Sequence, residues 1–297
     1  MTFALFILAF SALAAAAPGT APDPAGAAVV AAARAAEGTS GAVVGVSLLH
    51  LETGRRASWH GHERFQMASV FKLPVAIAIL GAVEKGALRL DQEAEIRESD
   101  RMEIGPIYDE WRPGIRVTVA RMVDVMLVDS DNTAADKLIA LLGGPGTVEK
   151  ALTAKGVSGI RISLGERGLG AAMKKDLAAL ERGSENGTSP DAMAALLVRL
   201  FRGELLSRPS TDRILDAMRR CATGGRRLRA GLPKDTEVRD KTGTLRSCAN
   251  DAGIVTLKDG SHLVLAVFVR GGTDAATREA AIASVARAAW EAFGPGR

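Results

Sequence analysis

The sequence predicts a mixed α/β (α+β) fold, in which an antiparallel sheet formed from the N- and C-terminal segments carries flanking helices and an all-α lobe is inserted between its halves. Two observations predict it. Strand-like apolar runs lie near both ends of the 297-residue chain, whereas from residue 69 to about 218 apolar residues recur at helical spacing. Distant strands around a helical block bury their apolar faces best by pairing in one sheet. A leader and spacer are expected over 1–22 and one domain over 23–297. Its α/β lobe takes about 23–62 and 222–297, its all-α lobe about 63–221, and the functional site falls between the lobes.

Residues 3–17 are apolar and end in small residues, Ala14-Ala15-Ala16-Ala17-Pro18, like the core and cleavage region of a secretory signal. Only Met1 and Thr2 precede the run, so the usual positive residue is missing, and the run is too short to span a membrane comfortably. Export to the periplasm or medium is the expectation. The Pro/Gly/Ala stretch 18–26 reads as a spacer.

Runs 43–51 and 55–60 flank Glu52-Thr53-Gly54 and predict an antiparallel hairpin. Helices are predicted over 69–85, 118–142, 190–200 and 211–220. Gly143-Gly144-Pro145-Gly146 reads as a helix stop and turn; without a preceding strand or a Gly-Lys-Ser/Thr continuation it is no phosphate loop. Strands return at 253–257 and 263–269, joined at Asp259-Gly260, before an amphipathic helix over 275–293.

An apolar fraction of 47% suits a globular enzyme. The net charge of +4 comes from scattered arginines, with no basic run interleaved with aromatics, so no nucleic-acid partner is expected. Nor is a membrane partner expected after processing, and a monomer is the expected state. The four histidines lack metal-ligand spacing: His60-Gly61-His62 has no further ligands to complete a zinc site, so no metal and no other cofactor is expected. Cys221 and Cys248 are open to two readings. Paired, they would close a loop contributing about 3.5 kcal/mol; unpaired, they are ordinary buried side chains.

Three short strings carry chemistry. In Ser69-Val70-Phe71-Lys72 the serine and lysine stand one turn apart on one helical face, which sets an amine beside a hydroxyl that needs its proton removed. A helix N-terminus also offers Ser69 N–H to a developing oxyanion. Ser130-Asp131-Asn132 sits between helical segments, where Asp131 suits a cap, Ser130 a proton relay and Asn132 a substrate contact. Lys241-Thr242-Gly243-Thr244, at the expected start of a strand, can bind a carboxylate through Lys241 and Thr242, and Gly243 admits a ligand close to the backbone. Thr244 can add a second oxyanion N–H. Taken singly, each string has an ordinary reading as a cap, a solvated lysine or an edge strand; their order and spread do not.

With Gly143-Gly144-Pro145 and Gly203-Glu204-Leu205-Leu206, these strings resemble the class A serine β-lactamases over almost the whole chain after the leader. The resemblance implies a β-lactamase/transpeptidase-like fold and hydrolysis of a small β-lactam substrate through an acyl-serine. Ser69 would be the nucleophile, Lys72 its assistant and Ser130 the relay to the departing nitrogen. Glu166, within Arg161-Ile162-Ser163-Leu164-Gly165-Glu166-Arg167-Gly168-Leu169-Gly170, resembles the Ω-loop base that activates the deacylating water. Arg227 is similar to an arginine that helps bind the substrate carboxylate in some relatives, with Arg226, Arg229 and Arg246 as rivals. Tyr108 or Trp111 would form an aromatic wall at the site entrance or simply pack.

The loop departs from the family pattern in two places. Gly170 stands where many relatives carry an asparagine that holds the water, and Leu164 and Asn186 replace an arginine and its acidic partner. A more mobile loop is the expectation. Asn186-Gly187-Thr188 matches a glycosylation sequon and is read as a turn. The competing functions are a D-alanyl-D-alanine peptidase and a non-hydrolytic penicillin-binding or sensing protein. The cysteine pair of some carbapenem-hydrolysing relatives is absent, since Ala68 and Leu245 occupy those positions.

Overall fold

The computed structural model describes residues 23–294, so the leader expected over 1–22 lies outside the described residues. The first helix, α1 (Pro24–Ser40), starts where Asp23 caps Ala25 N–H and ends where Gly41 turns left-handed at φ 63°. The stretch read as a spacer therefore ends at Asp23, because Pro24 takes the first helical position that proline favours. Five strands form the main sheet: β1 (Ala42–His50), β2 (Arg56–Trp59), β7 (Val238–Leu245), β8 (Cys248–Thr256) and β9 (His262–Gly271). They pair antiparallel in the order β2-β1-β9-β8-β7. The sheet is thus assembled from both ends of the chain, as the apolar patterns predict. On one face α1 and the C-terminal helix α11 (Ala275–Phe293) cover an apolar layer including Val44, Val46, Val267, Ile282 and Val285.

The other face joins the core of the inserted segment. Its central helix, α2 (Lys72–Glu84), is buried on all sides from Lys72 to Gly81, as a helix apolar around its whole circumference must be. Around it pack α4 (Val119–Val128), α5 (Asn132–Leu141), α6 (Pro145–Ala154) and α10 (Arg208–Arg219), while α9 (Pro190–Phe201) lies against the sheet. The single helix expected over 118–142 is two, because Ser130 takes a left-handed φ of 62° and breaks the path between α4 and α5. The inserted lobe is not wholly helical. Among the described residues it also holds the ribbons β3 (Phe65–Gln66) with β6 (Gly187–Thr188) and β4 (Glu93–Glu95) with β5 (Arg116–Thr118), strands too short to show a period in sequence. Helices α3 (Pro106–Asp109), α7 (Glu166–Lys175) and α8 (Leu177–Glu181) complete the segment. Gly187 and Thr188, read as part of a turn, form β6, and Asn186 alone makes the left-handed corner at φ 44°.

Candidate active site

Ser69 sits in a 3-10 turn, Ala68–Phe71, that feeds directly into α2. The turn is built to one shape: Gln66 accepts from Ala68 N–H through its side chain (3.1 Å), and Asn250 Nδ2 donates to the carbonyls of Gln66 (2.8 Å) and Met67 (3.0 Å). β7 presses on this turn so closely that a Cβ at Gly243 would collide with Met67 O. A glycine is therefore required there for steric reasons. Thr244 follows on the same strand, which is the sheet's edge and leaves every second N–H facing away from β8.

Lys72, at the start of α2, is fully buried, and its ammonium is saturated with acceptors. Nζ donates to Ser130 O (2.6 Å), Ser130 Oγ (3.2 Å) and Asn132 Oδ1 (2.6 Å), and pairs with Glu166 Oε1 at 2.8 Å. Such a cation survives burial only with this many partners. The same Glu166 oxygen accepts from Ser69 Oγ at 3.3 Å. Ser130 Oγ is shared with a second buried amine, Lys241 Nζ, at 3.0 Å. Burial, with Lys72's positive charge adding to it, pushes the Lys241 pKa down to about 8.

Asp131 caps α5, as expected from its position: Oδ1 accepts Ala134 N–H (2.7 Å) and Oδ2 accepts Ile107 N–H (2.8 Å). Asn132 Nδ2 donates to Glu103 O (3.2 Å), tying the 103–105 segment to the motif. Ile104, whose carbonyl accepts Asn132 N–H (3.3 Å), is 65% exposed at φ 77°, an unusual backbone for a β-branched residue. Tyr108 and Trp111 are packing residues: Arg101 lies over both rings (4.6 and 4.5 Å), and Trp111 Nε1 donates to Ile96 O.

Two anchors of the Glu166 loop escape the motif reading. The first is Asp136, one turn beyond Asn132 on the same face of α5, which receives the N–H groups of Glu166 (2.5 Å) and Arg167 (3.0 Å) at the start of α7. The carboxylate thus holds the positive end of α7 and with it the backbone of Glu166. Burial raises the Asp136 pKa, the two N–H bonds oppose that rise, and the Glu166 charge adds to it. Helical spacing from Asn132 was the available signal.

The second anchor is Asn186. Its fully buried amide accepts from Ser163 N (2.9 Å) and Leu164 N (2.9 Å) and donates to Leu164 O (2.8 Å). The loop expected to be loose for want of an ion pair has its neck closed by these neutral bonds instead. The same burial keeps the sequon asparagine from solvent. Gly170 lies in α7 with open space where a Cβ would stand.

Arg227 is buried beneath β7, not free in the cleft. Its guanidinium donates to Gly243 O (3.0 Å), Asn250 O (2.9 Å) and Thr244 Oγ1 (2.6 Å) and pairs with Glu279 at 3.3 Å. It therefore touches the site through the Thr244 hydroxyl. Of its rivals, Arg226 pairs with Glu279 from an exposed position, and Arg229 is held by Asp240. Thr242 Oγ1 bonds Thr223 Oγ1 beside Cys221. Cys221 and Cys248 are both free thiols, and burial raises the Cys248 pKa to about 11.

One carboxylate oxygen within bonding reach of a serine hydroxyl and a buried lysine, a second lysine on a relay serine, and a glycine-floored strand edge can together move protons through one cycle of acyl transfer. The comparisons with known proteins agree. Residues 28–293 match the model of the Beta-lactamase enzyme family. The VEB-1 β-lactamase of Pseudomonas aeruginosa is 31% identical over 261 residues, 84% of this chain and 85% of its own. The crystal structure of a β-lactamase from Chitinophaga pinensis superimposes with a TM-score of 0.82 at 34% identity, covering 89% of this chain and 98% of that one. A mutant of the class A β-lactamase of the last common ancestor of Gram-negative bacteria gives 0.82 at 35% identity over 89% and 98%.

Proposed function

The chain belongs to the β-lactamase enzyme family, among its class A serine members, and we propose how its own residues divide the labour of β-lactam hydrolysis. The enzyme hydrolyses β-lactams through an acyl-serine. In the first half, Ser69 Oγ attacks the lactam carbonyl and its proton passes to the Glu166–Lys72 pair. The N–H groups of Ser69 and Thr244 receive the developing oxyanion. As the carbonyl–nitrogen bond breaks, Ser130 gives its proton to the departing nitrogen and is reprotonated from the lysines that flank it. In the second half, Glu166 takes a proton from water, hydroxide attacks the ester, and Ser69 leaves with a proton returned through the same network.

Lys241 and Thr242 receive the substrate carboxylate, Asn132 the acyl amide, and Arg227 orients the Thr244 hydroxyl from behind the strand. The observation that carries this reading is the Glu166 oxygen, 3.3 Å from Ser69 Oγ and 2.8 Å from Lys72 Nζ. A base in that position serves the ester's water as well as the serine, which a protein that merely stays acylated does not need.

Intact-mass spectrometry of Glu166→Gln incubated with benzylpenicillin tests it. The expected result is a long-lived adduct of one penicillin mapping to the Ser69 peptide; an adduct elsewhere, or parent-like turnover by the variant, overturns it.

Export follows from the apolar run at 3–17, so expression in a Gram-negative host should place processed protein in the periplasm, raise resistance to penicillins and yield a monomer on gel filtration. Protein retained unprocessed in the cytoplasm would refute the export reading.

A further inference from the structure

Beside the neck of the catalytic loop, a cavity of about 370 Å³ is lined by Arg64, Arg161, Ala179, Arg182, Gly183 and Ser184. Half of its lining residues are arginines and none is an acid. Like charges converge in this way only at a cost, unless an anion completes the site.

Glu185, the acid paired with Arg161, stands 3.9 Å away and accepts a closer hydrogen bond from Ser163 Oγ. Arg64 spends one donor on Gly187 O (3.1 Å). Arg182 has no side-chain hydrogen bond or ion pair among the described residues. Most of the fifteen or so N–H donors that three guanidinium groups carry are therefore uncommitted.

The frame that holds them is stiff. Gly183 is left-handed at φ 71°, and a Cβ there would lie 2.9 Å from Phe65 O. A Cβ on Gly187 would in turn collide with Gly183 O. The turn is thus pressed onto β3 with no room for larger residues, and Ser184 follows it at the cavity wall.

We propose that this cavity is a second binding site, distinct from the catalytic cleft, for a small phosphate-bearing anion. Arginine forks match phosphate oxygens two at a time, and the volume suits a small molecule. The wall of the site is continuous with both halves of the catalytic machinery. Glu185 O accepts from Gln66, which shapes the Ser69 turn, and the neighbouring Asn186 amide closes the Glu166 loop.

Inorganic pyrophosphate is the probe, titrated at constant ionic strength against the intact protein, with sodium chloride as the control. The expected result is a saturable binding isotherm and a Tm raised by about 5 °C at a hundredfold excess over Kd. The double variant Arg161→Gln, Arg182→Gln should lose at least about thirtyfold in affinity, equivalent to two charge-assisted contacts. Its nitrocefin turnover without pyrophosphate should equal the parent's, which also shows that it folds. Arg202→Gln, on another surface, should bind as the parent does. No saturable binding, or equal binding by parent and double variant, overturns the proposal.

Discussion

Replacing Asp136 by alanine should uncouple the two halves of the catalytic cycle. Asp136 touches no atom proposed to react, yet its two oxygens receive the N–H groups of Glu166 (2.5 Å) and Arg167 (3.0 Å). Each bond to a charged acceptor is worth about 1.5–3 kcal/mol, and relief of the buried carboxylate's desolvation returns part of the sum. A net loss of about 2.7 kcal/mol in holding Glu166 follows, and at about 1.36 kcal/mol per decade this is a hundredfold drop in the population placed to activate water. Acylation should suffer less, because Lys72, one helical turn from Ser69 in sequence, keeps its bonds to Ser130 and Asn132. Asp136→Asn keeps one acceptor and should lose about tenfold. Stopped-flow nitrocefin hydrolysis separates the steps: Asp136→Ala should give a burst of one equivalent followed by a steady state about a hundredfold below the parent. A folded variant with kcat within twofold of the parent, or one whose burst and steady state fall together, would refute the anchoring role.

Other substitutions probe the remaining parts. Asn186→Ala removes three bonds at the loop neck and places alanine at a left-handed φ of 44°, so it should cost about 3 kcal/mol and lower Tm by about 6–10 °C; an unchanged Tm would contradict the clamp. Gly170→Asn enters open space on α7, with room for the amide that relatives use on the water, and should raise kcat several-fold; a fall in kcat at unchanged stability would count against it. For Lys241, the folded pKa of about 8 lies below its ordinary 10.5. As pH rises through 8 the folded protein loses this charge, so KM for anionic penicillins should rise while neutral-amide contacts persist. The folded state binds fewer protons than the unfolded state between about pH 8 and 10.5, so this group's destabilising contribution is largest below pH 8 and relieved above it. A flat KM from pH 7 to 9.5 would sink that assignment. Finally, a thiol assay in denaturant without reductant should count two, since Cys221 and Cys248 are unpaired.

Much of this was legible in the residues because the relevant signals are local. Apolar runs at both ends pointed to the sheet, and the final helix over 275–293 matches α11 in its bounds. The site strings were legible because acyl transfer demands particular side chains at helical and strand spacing, and the structure brings Ser69, Lys72, Ser130, Asn132, Glu166 and Lys241 into one hydrogen-bonded network.

What stayed hidden depends on contacts distant in sequence. Asp136 acts on a loop 30 residues away, and Asn186 on one 22 away, and neither has a local pattern that names its partner. The missing arginine and acid at Leu164 and Asn186 pointed to a loose loop because an ion pair is visible as two charges, whereas an amide bonded to backbone is visible only in three dimensions. Arg227 was legible as a site residue but not its orientation, because burial under β7 is set by Glu279 on α11. The break between α4 and α5 was hidden by continuous apolar spacing and made by one left-handed serine.

The number of nitrocefin molecules opened per molecule of purified protein tests the central claim most directly. A hydrolase with Glu166 placed against Ser69 and Lys72 should turn over hundreds of equivalents at a constant rate. A single equivalent followed by arrest would contradict it, leaving a protein that acylates and stops.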